Sequence, residues 1–195
     1  AEDYNAITST IDDLTIKILG SNALSSKYTT ISLAAQTTIT GGGTLYVKSD
    51  RDCALYANGV DLAIDNCQVN AESSTYAIAG SDGTRETLTI NNAMVTAEGK
   101  ENGSICDFAN VMLVGCDIIQ PAGAAFDSDL HGIALNGAIV TSKVIIGDPS
   151  SIQAPVIDAA AKRGVYTLSG VQLKTDVKHL PKGSYVVNGK KMVKK

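Results

Sequence analysis

The sequence predicts an all-β chain. It reads as a short right-handed parallel β-solenoid over residues 1–150, a linker or cap over 151–161 and a small basic β-hairpin tail over 162–195. Three observations lead there. Short stretches alternate apolar and polar residues, the mark of a strand with one buried face. The stretches return with like residues in like places at spacings of 26 and 23 residues, the signature of stacked coils. Charge divides the chain: residues 1–161 hold 19 of the 20 acids and 7 of the 16 Lys and Arg, a net −12. Residues 162–195 hold one acid and nine bases, a net +8, so the end is a separate piece.

The repeats are Leu62-Ala-Ile64-Asp-Asn66-Cys67-Gln-Val69-Asn-Ala71, Leu88-Thr-Ile90-Asn-Asn92-Ala93-Met-Val95-Thr-Ala97 and Val111-Met-Leu113-Val-Gly115-Cys116-Asp-Ile118-Ile-Gln120. Weaker copies begin at Leu14 and Ile39, and a last one runs from Val140 to Ile146. Each copy pauses at Asn66, Asn92 or Gly115. Asn and Gly tolerate the left-handed backbone of a bend between two strands. A third stretch completes each unit: Ala54–Ala57, Tyr76–Ala79, Ile105–Ala109 and Ile133–Leu135. Five or six coils result. An antiparallel sandwich or barrel also has many short strands, but it does not place Leu on Leu and Ile on Ile in register.

With 44% hydrophobic and 18% charged residues the chain is too apolar for disorder. No apolar run reaches the 18 residues of a membrane-spanning helix. A body of net −12 repels phosphates, which excludes nucleic acid as its partner. In the tail, Asn188-Gly189 between Val-rich runs signals a two-residue hairpin turn.

The tail's order, Gly164-Val-Tyr166-Thr-Leu-Ser-Gly170 followed by Leu180-Pro-Lys-Gly183-Ser-Tyr185-Val-Val-Asn-Gly-Lys-Lys191, resembles the C-terminal sorting domains of the type IX secretion system in Bacteroidetes. The likeness covers residues 163–195 and implies an exported protein: periplasmic, at the cell surface or extracellular. The body, through Ile39–Val47 with its Gly-Gly-Gly and the Leu-x-Ile-x-Asn/Gly units, resembles secreted β-helix proteins of the carbohydrate-binding and adhesin-like kind. That likeness implies a polysaccharide or surface glycan as partner, with calcium as the cofactor to consider.

The residues themselves supply few sites. Cys53, Cys67, Cys106 and Cys116 read as small core residues. Cys67 and Cys116 share a ladder position two coils apart, about 9–10 Å at the strand spacing, beyond the reach of a disulfide. Cys53 and Cys106 are read as equally separated in the third strand. Asp127, Asp129 and His131 alternate and would share one strand face, where a catalytic group could form. A lyase would draw on Lys48 and Arg51, next to Asp50 and Asp52. No Gly-x-Ser-x-Gly elbow or strict calcium loop occurs. Stacked turns would bring Asp50, Asp52, Glu72, Glu98 and Glu101 toward one edge, where calcium could bridge them or water could solvate them. Tyr46, outward between Leu45 and Val47, and Lys48 are the ligand-binding candidates. On the same ladder Tyr46 is aligned with Gln68, Met94 and Asp117, so no aromatic stripe is expected.

The function expected from these features is non-catalytic binding at the cell surface, to a polysaccharide or another surface. The alternatives are a polysaccharide lyase or glycoside hydrolase on the same scaffold, and a structural fragment of a larger surface protein.

Overall fold

The computed structural model describes residues 4–148, 165–167, 171–173, 177–187 and 190–194. The chain divides into two units, Ala1–Ile152 and Gln153–Lys195. The sequence-read linker 151–161 lies outside the described residues.

Coils of three strands build the first unit. The first coil is β1 (Ile7–Ser9), β2 (Leu14–Lys17) and β3 (Ser21–Ser26). The second is β4 (Ile31–Leu33), β5 (Thr37–Thr40) and β6 (Thr44–Ser49). The third is β7 (Cys53–Ala57), β8 (Leu62–Asp65) and β9 (Gln68–Ser73), and the fourth is β10 (Tyr76–Ala79), β11 (Thr87–Asn91) and β12 (Met94–Gly99). Strands of like position stack in parallel into three sheets, β1-β4-β7-β10, β2-β5-β8-β11 and β3-β6-β9-β12. The result is a parallel β-solenoid of about four turns. A fifth coil begins with β13 (Gly103–Cys106) and β14 (Asn110–Val114), which extend the first two sheets. The described residues contain no α-helix, and none is long and apolar enough to cross a membrane.

The interior is a set of ladders. Ile16, Ile39, Ile64, Ile90 and Leu113 stand in register across the second sheet, beside Leu62, Leu88 and Val111. Ile31, Leu55, Ile78 and Ile105 do the same in the first sheet. Leu45, Val69 and Val95 form the matching row of the third. Each fully buried side chain of this size contributes about 1.5–3 kcal/mol of transfer free energy. Between the second and third strands the chain turns at Asn66, Asn92 and Gly115, with φ of 47°, 44° and 64°. These are the left-handed bends that their Asn and Gly residues foreshadow. The Gly41–Gly43 bend is tighter against its neighbour: a Cβ on Gly43 would lie 2.6 Å from the Gly20 carbonyl oxygen.

Beyond the fourth coil the fold departs from the expected five or six. The strand β15 (Asp117–Gln120) does not stack on β12. The later strand β19 (Val144–Gly147) enters between them and runs antiparallel to both. It continues the buried row, because Ile146 pairs with Val95 and Val144 with Ala97. Alternation has the same period in either direction, so the apolar pattern from Val140 to Ile146 is satisfied by a reversed strand. Ile133–Leu135, expected as a coil strand, belongs instead to a small antiparallel sheet. That sheet joins β16 (Ala125–Asp127), β17 (Gly132–Leu135) and β18 (Ala138–Ile139). The turn between β17 and β18 is Asn136-Gly137, with φ of 54° and 78°, as a two-residue hairpin of the primed type requires. The wholly buried Ile133 joins the main core from this sheet.

All four cysteines are free and buried. The thiols of Cys67 and Cys116 donate to the carbonyls of Ile39 and Ile90 at 3.5 and 3.3 Å. Cys53 and Cys106 are not ladder equivalents. Cys53 is in register with Tyr76, and Cys106 with Ala79, three positions further along. Leu55, Ile78 and Ile105 are the residues in register, which puts Cys53 two positions before that row and Cys106 one after it. Burial pushes both thiols far above the usual cysteine range, and the neighbouring Asp52 and Asp107 charges push further. A thiolate is the reactive form. All four thiols should therefore resist a disulfide reagent in the folded protein, and four should titrate at once after denaturation without reductant. A count of two would mean that a bridge had formed.

Among the described residues the second unit has four antiparallel strands where a simple hairpin was expected. They are β20 (Val165–Thr167), β21 (Gln172–Leu173), β22 (Gly183–Val187) and β23 (Lys190–Lys194), in the order β21-β20-β22-β23. Val165, Leu180 and Tyr185 are its buried centre. The Tyr185 hydroxyl donates to the Pro181 carbonyl at 3.0 Å. Val187 pairs with Lys190, as a two-residue connection demands; Asn188 and Gly189 lie outside the described residues.

Candidate functional site

The third sheet turns one face to the core and one to solvent. Leu45, Val47 and Ser49 of β6 point inward, so Tyr46 and Lys48 point out. In β9 the outward residues are Asn70 and Glu72, and in β12 they are Thr96 and Glu98. Register sets them in two rows across the coils: Ala23, Tyr46, Asn70, Thr96, and beside it Ser25, Lys48, Glu72, Glu98. This outer face holds a concavity of about 470 Å³, which Lys143 borders just ahead of β19.

The floor of this groove is chemically mixed. Tyr46 is 48% exposed. Lys48 Nζ lies 3.8 Å from Glu72 Oε1, and Lys100 Nζ lies 3.7 Å from the same oxygen. Both pairs are half in water, so each contributes at most about 1 kcal/mol. They set the Lys48 ammonium and the Glu72 carboxylate side by side in one row of the groove. Asn70 Nδ2 is covered and makes no hydrogen bond. An unmet buried donor costs about 1–3 kcal/mol.

The structure brings together part of what the sequence suggested. Tyr46, Lys48, Glu72 and Glu98 line one groove. Asp50, Arg51 and Glu101 are exposed on the turns after β6 and β12. Asp52 lies elsewhere: its carboxylate accepts a 2.6 Å bond from the Thr29 hydroxyl and borders a cavity on the first sheet. The five carboxylates thus do not converge as a calcium site. Outward side chains of β9 and β12 leave on a different face from those in the turn, and Lys48 and Lys100 neutralise Glu72. Among the described residues no three His, Cys, Asp or Glu side chains are placed to hold a metal ion.

Two further expectations are corrected. The ladder neighbours of Tyr46 are Ala23, Asn70 and Thr96 in place of Gln68, Met94 and Asp117. The expected set places Val47 against Val69, whereas the register places Leu45 there, two positions earlier, and a shift of two keeps each side chain on its own face. Asp127, Asp129 and His131 do not share a strand face. Asp127 ends β16, and its Oδ1 accepts from the backbone N–H of Asp129 and Leu130 at 2.9 and 3.1 Å, which closes a turn. His131 has φ of 54° and packs its ring against Gly83. Asn70, Thr96 and Lys143 were missed. Only the correct register reveals the first two, and only the reversed β19 brings up the third.

Comparison of the chain with protein-family models, with curated proteins and with solved structures found no match.

Proposed function

We propose that the protein is an exported, non-catalytic binding module whose outer third sheet holds a polysaccharide or surface glycan. The observation that carries this reading is the groove itself. It combines the half-exposed Tyr46, the Asn70 side chain, and the Lys48 and Glu72 charges in one concavity. Sugars present apolar C–H faces that rest on aromatic rings, and hydroxyls that both donate and accept. A surface offering a ring, an amide and charges of both signs meets those needs. The coil spacing of about 4.8 Å repeats the polar rows along the sheet, which suits an extended chain more than a compact ligand. Export is supported by the tail's resemblance to sorting domains.

The reading is tested on a glycan array. The protein should retain a restricted set of oligosaccharides, and Tyr46→Ala should weaken their binding at least tenfold with an unchanged melting temperature. Equal retention by the variant would remove Tyr46 from the site, and retention of no glycan would overturn the reading.

A further inference from the structure

The first sheet carries a second concavity that the glycan reading does not use. Its strands bury Leu55, Ile78 and Ile105 in the main core. On their other side Cys53, Tyr56, Tyr76, Ala79 and Cys106 form a separate apolar cluster with Ile139. A cavity of about 300 Å³ opens over this cluster, walled by Tyr56, Tyr76 and Ser81, with Thr29, Asp52 and Asp107 at its polar edge. The volume sits at the small end of ligand pockets.

The walls are held firmly. Tyr56 Oη reaches Asn58 Oδ1 and Ser81 Oγ at 3.2 and 3.3 Å, which fixes its ring. Asp107 has φ of 60°, a conformation that costs energy unless its surroundings impose it. Here they do. Its carbonyl accepts the Gly83 N–H at 3.0 Å, and the next N–H, of Phe108, donates to the His131 carbonyl at 3.0 Å. Gly80 lies so close to the Asp107 carbonyl that no Cβ fits there. Burial raises the Asp107 carboxyl above the usual aspartate range, and the nearby Glu86 charge adds to the rise. Among the described residues neither Asp52 nor Asp107 forms an ion pair. The pocket therefore holds two carboxylates without a cation between two tyrosines.

We infer that this pocket binds a small organic cation, an amine or guanidinium group carried on a flat or apolar body. Tyr56 and Tyr76 line the pocket with aromatic rings, which attract cations, and Asp52 and Asp107 offer charge-assisted acceptors. A bare metal ion fits less well, because no three ligating side chains converge there among the described residues. Anions are repelled. A neutral body would fill the apolar part and leave the carboxylates unanswered. The acidic residues of 1–161, with their net −12, draw cations toward the surface from a distance.

Benzylamine and its neutral isostere benzyl alcohol test the inference, each titrated into the full chain and followed by ligand-observed NMR. Benzylamine should bind at least tenfold more tightly than benzyl alcohol. Asp107→Asn preserves a residue type that accepts positive φ and should lower amine affinity about tenfold. Asp52→Asn can still accept from Thr29 and should do the same, which keeps the test alive if the Asp107 variant fails to fold. The inference is overturned if the amine and the alcohol bind alike, if the amine shows no binding at about 10 mM, or if folded Asp52→Asn binds it as the wild type does.

Discussion

The variant Ile90→Ala is expected to lose about 3 kcal/mol of folding stability, within the range of roughly 2–5 kcal/mol for a buried Ile cut to Ala. Ile90 is fully buried inside its ladder, flanked by Ile64 and Leu113 in the adjacent coils. Its loss takes contacts from both neighbours, and the strands of a hydrogen-bonded sheet cannot close in to fill the gap. In a protein of this size that corresponds to a fall of about 6–12 °C in melting temperature. Ile11, 63% exposed, provides the control: Ile11→Ala should stay within about 0.5 kcal/mol. Calorimetry on the two variants measures both. A mild effect at Ile90 would mean that the coils are not packed through this ladder.

Glu86 should give the largest pH-dependent effect. Its residue is 1% exposed. Its Oε1 accepts from the backbone N–H groups of Ser81 and Asp82, the latter at 3.0 Å, and Oε2 accepts from Arg85 N at 3.1 Å. The carboxylate thus closes the loop from Gly80 to Glu86 that packs on Asp107. Burial alone would raise its pKa, but the backbone donors outweigh burial and hold it below the usual glutamate value. Stability from these bonds is complete above the ordinary glutamate range near about 4.3. It is lost as pH falls from there through the lower, folded-state value. Glu86→Gln keeps one acceptor oxygen and no charge, so it should be destabilised by about 2–3 kcal/mol at pH 7 and should lose part of the wild type's acid-induced decline. Urea melts at pH 7, 4 and 3 would show the two proteins approaching each other in stability. Parallel curves would take Glu86 out of the acid response.

Both effects bear on what could be read before the structure. The Ile16–Leu113 ladder and the bends at Asn66, Asn92 and Gly115 were legible, because stacked coils place like residues side by side and left-handed bends select Asn and Gly. The capping role of Glu86 was not, since a lone Glu in a polar run looks like any solvated residue. The direction of β19 was hidden because alternation has no polarity. The neighbours of Tyr46 were misassigned because a shift by two keeps every residue on its own face. Outward residues such as Asn70 and Thr96 carry no periodic mark, so half of the groove emerged only once the register was known.

The most direct test of the binding face is a two-dimensional NMR titration of the isotope-labelled protein with an oligosaccharide chosen from the array. The backbone amides of Tyr46, Asn70 and Thr96 and the side-chain amide of Asn70 should shift together in a saturable way, while those of the second sheet, such as Thr38 and Thr89, stay still. Shifts confined to the first or second sheet, or to the strands from Val165 to Lys194, would contradict the assignment of the groove.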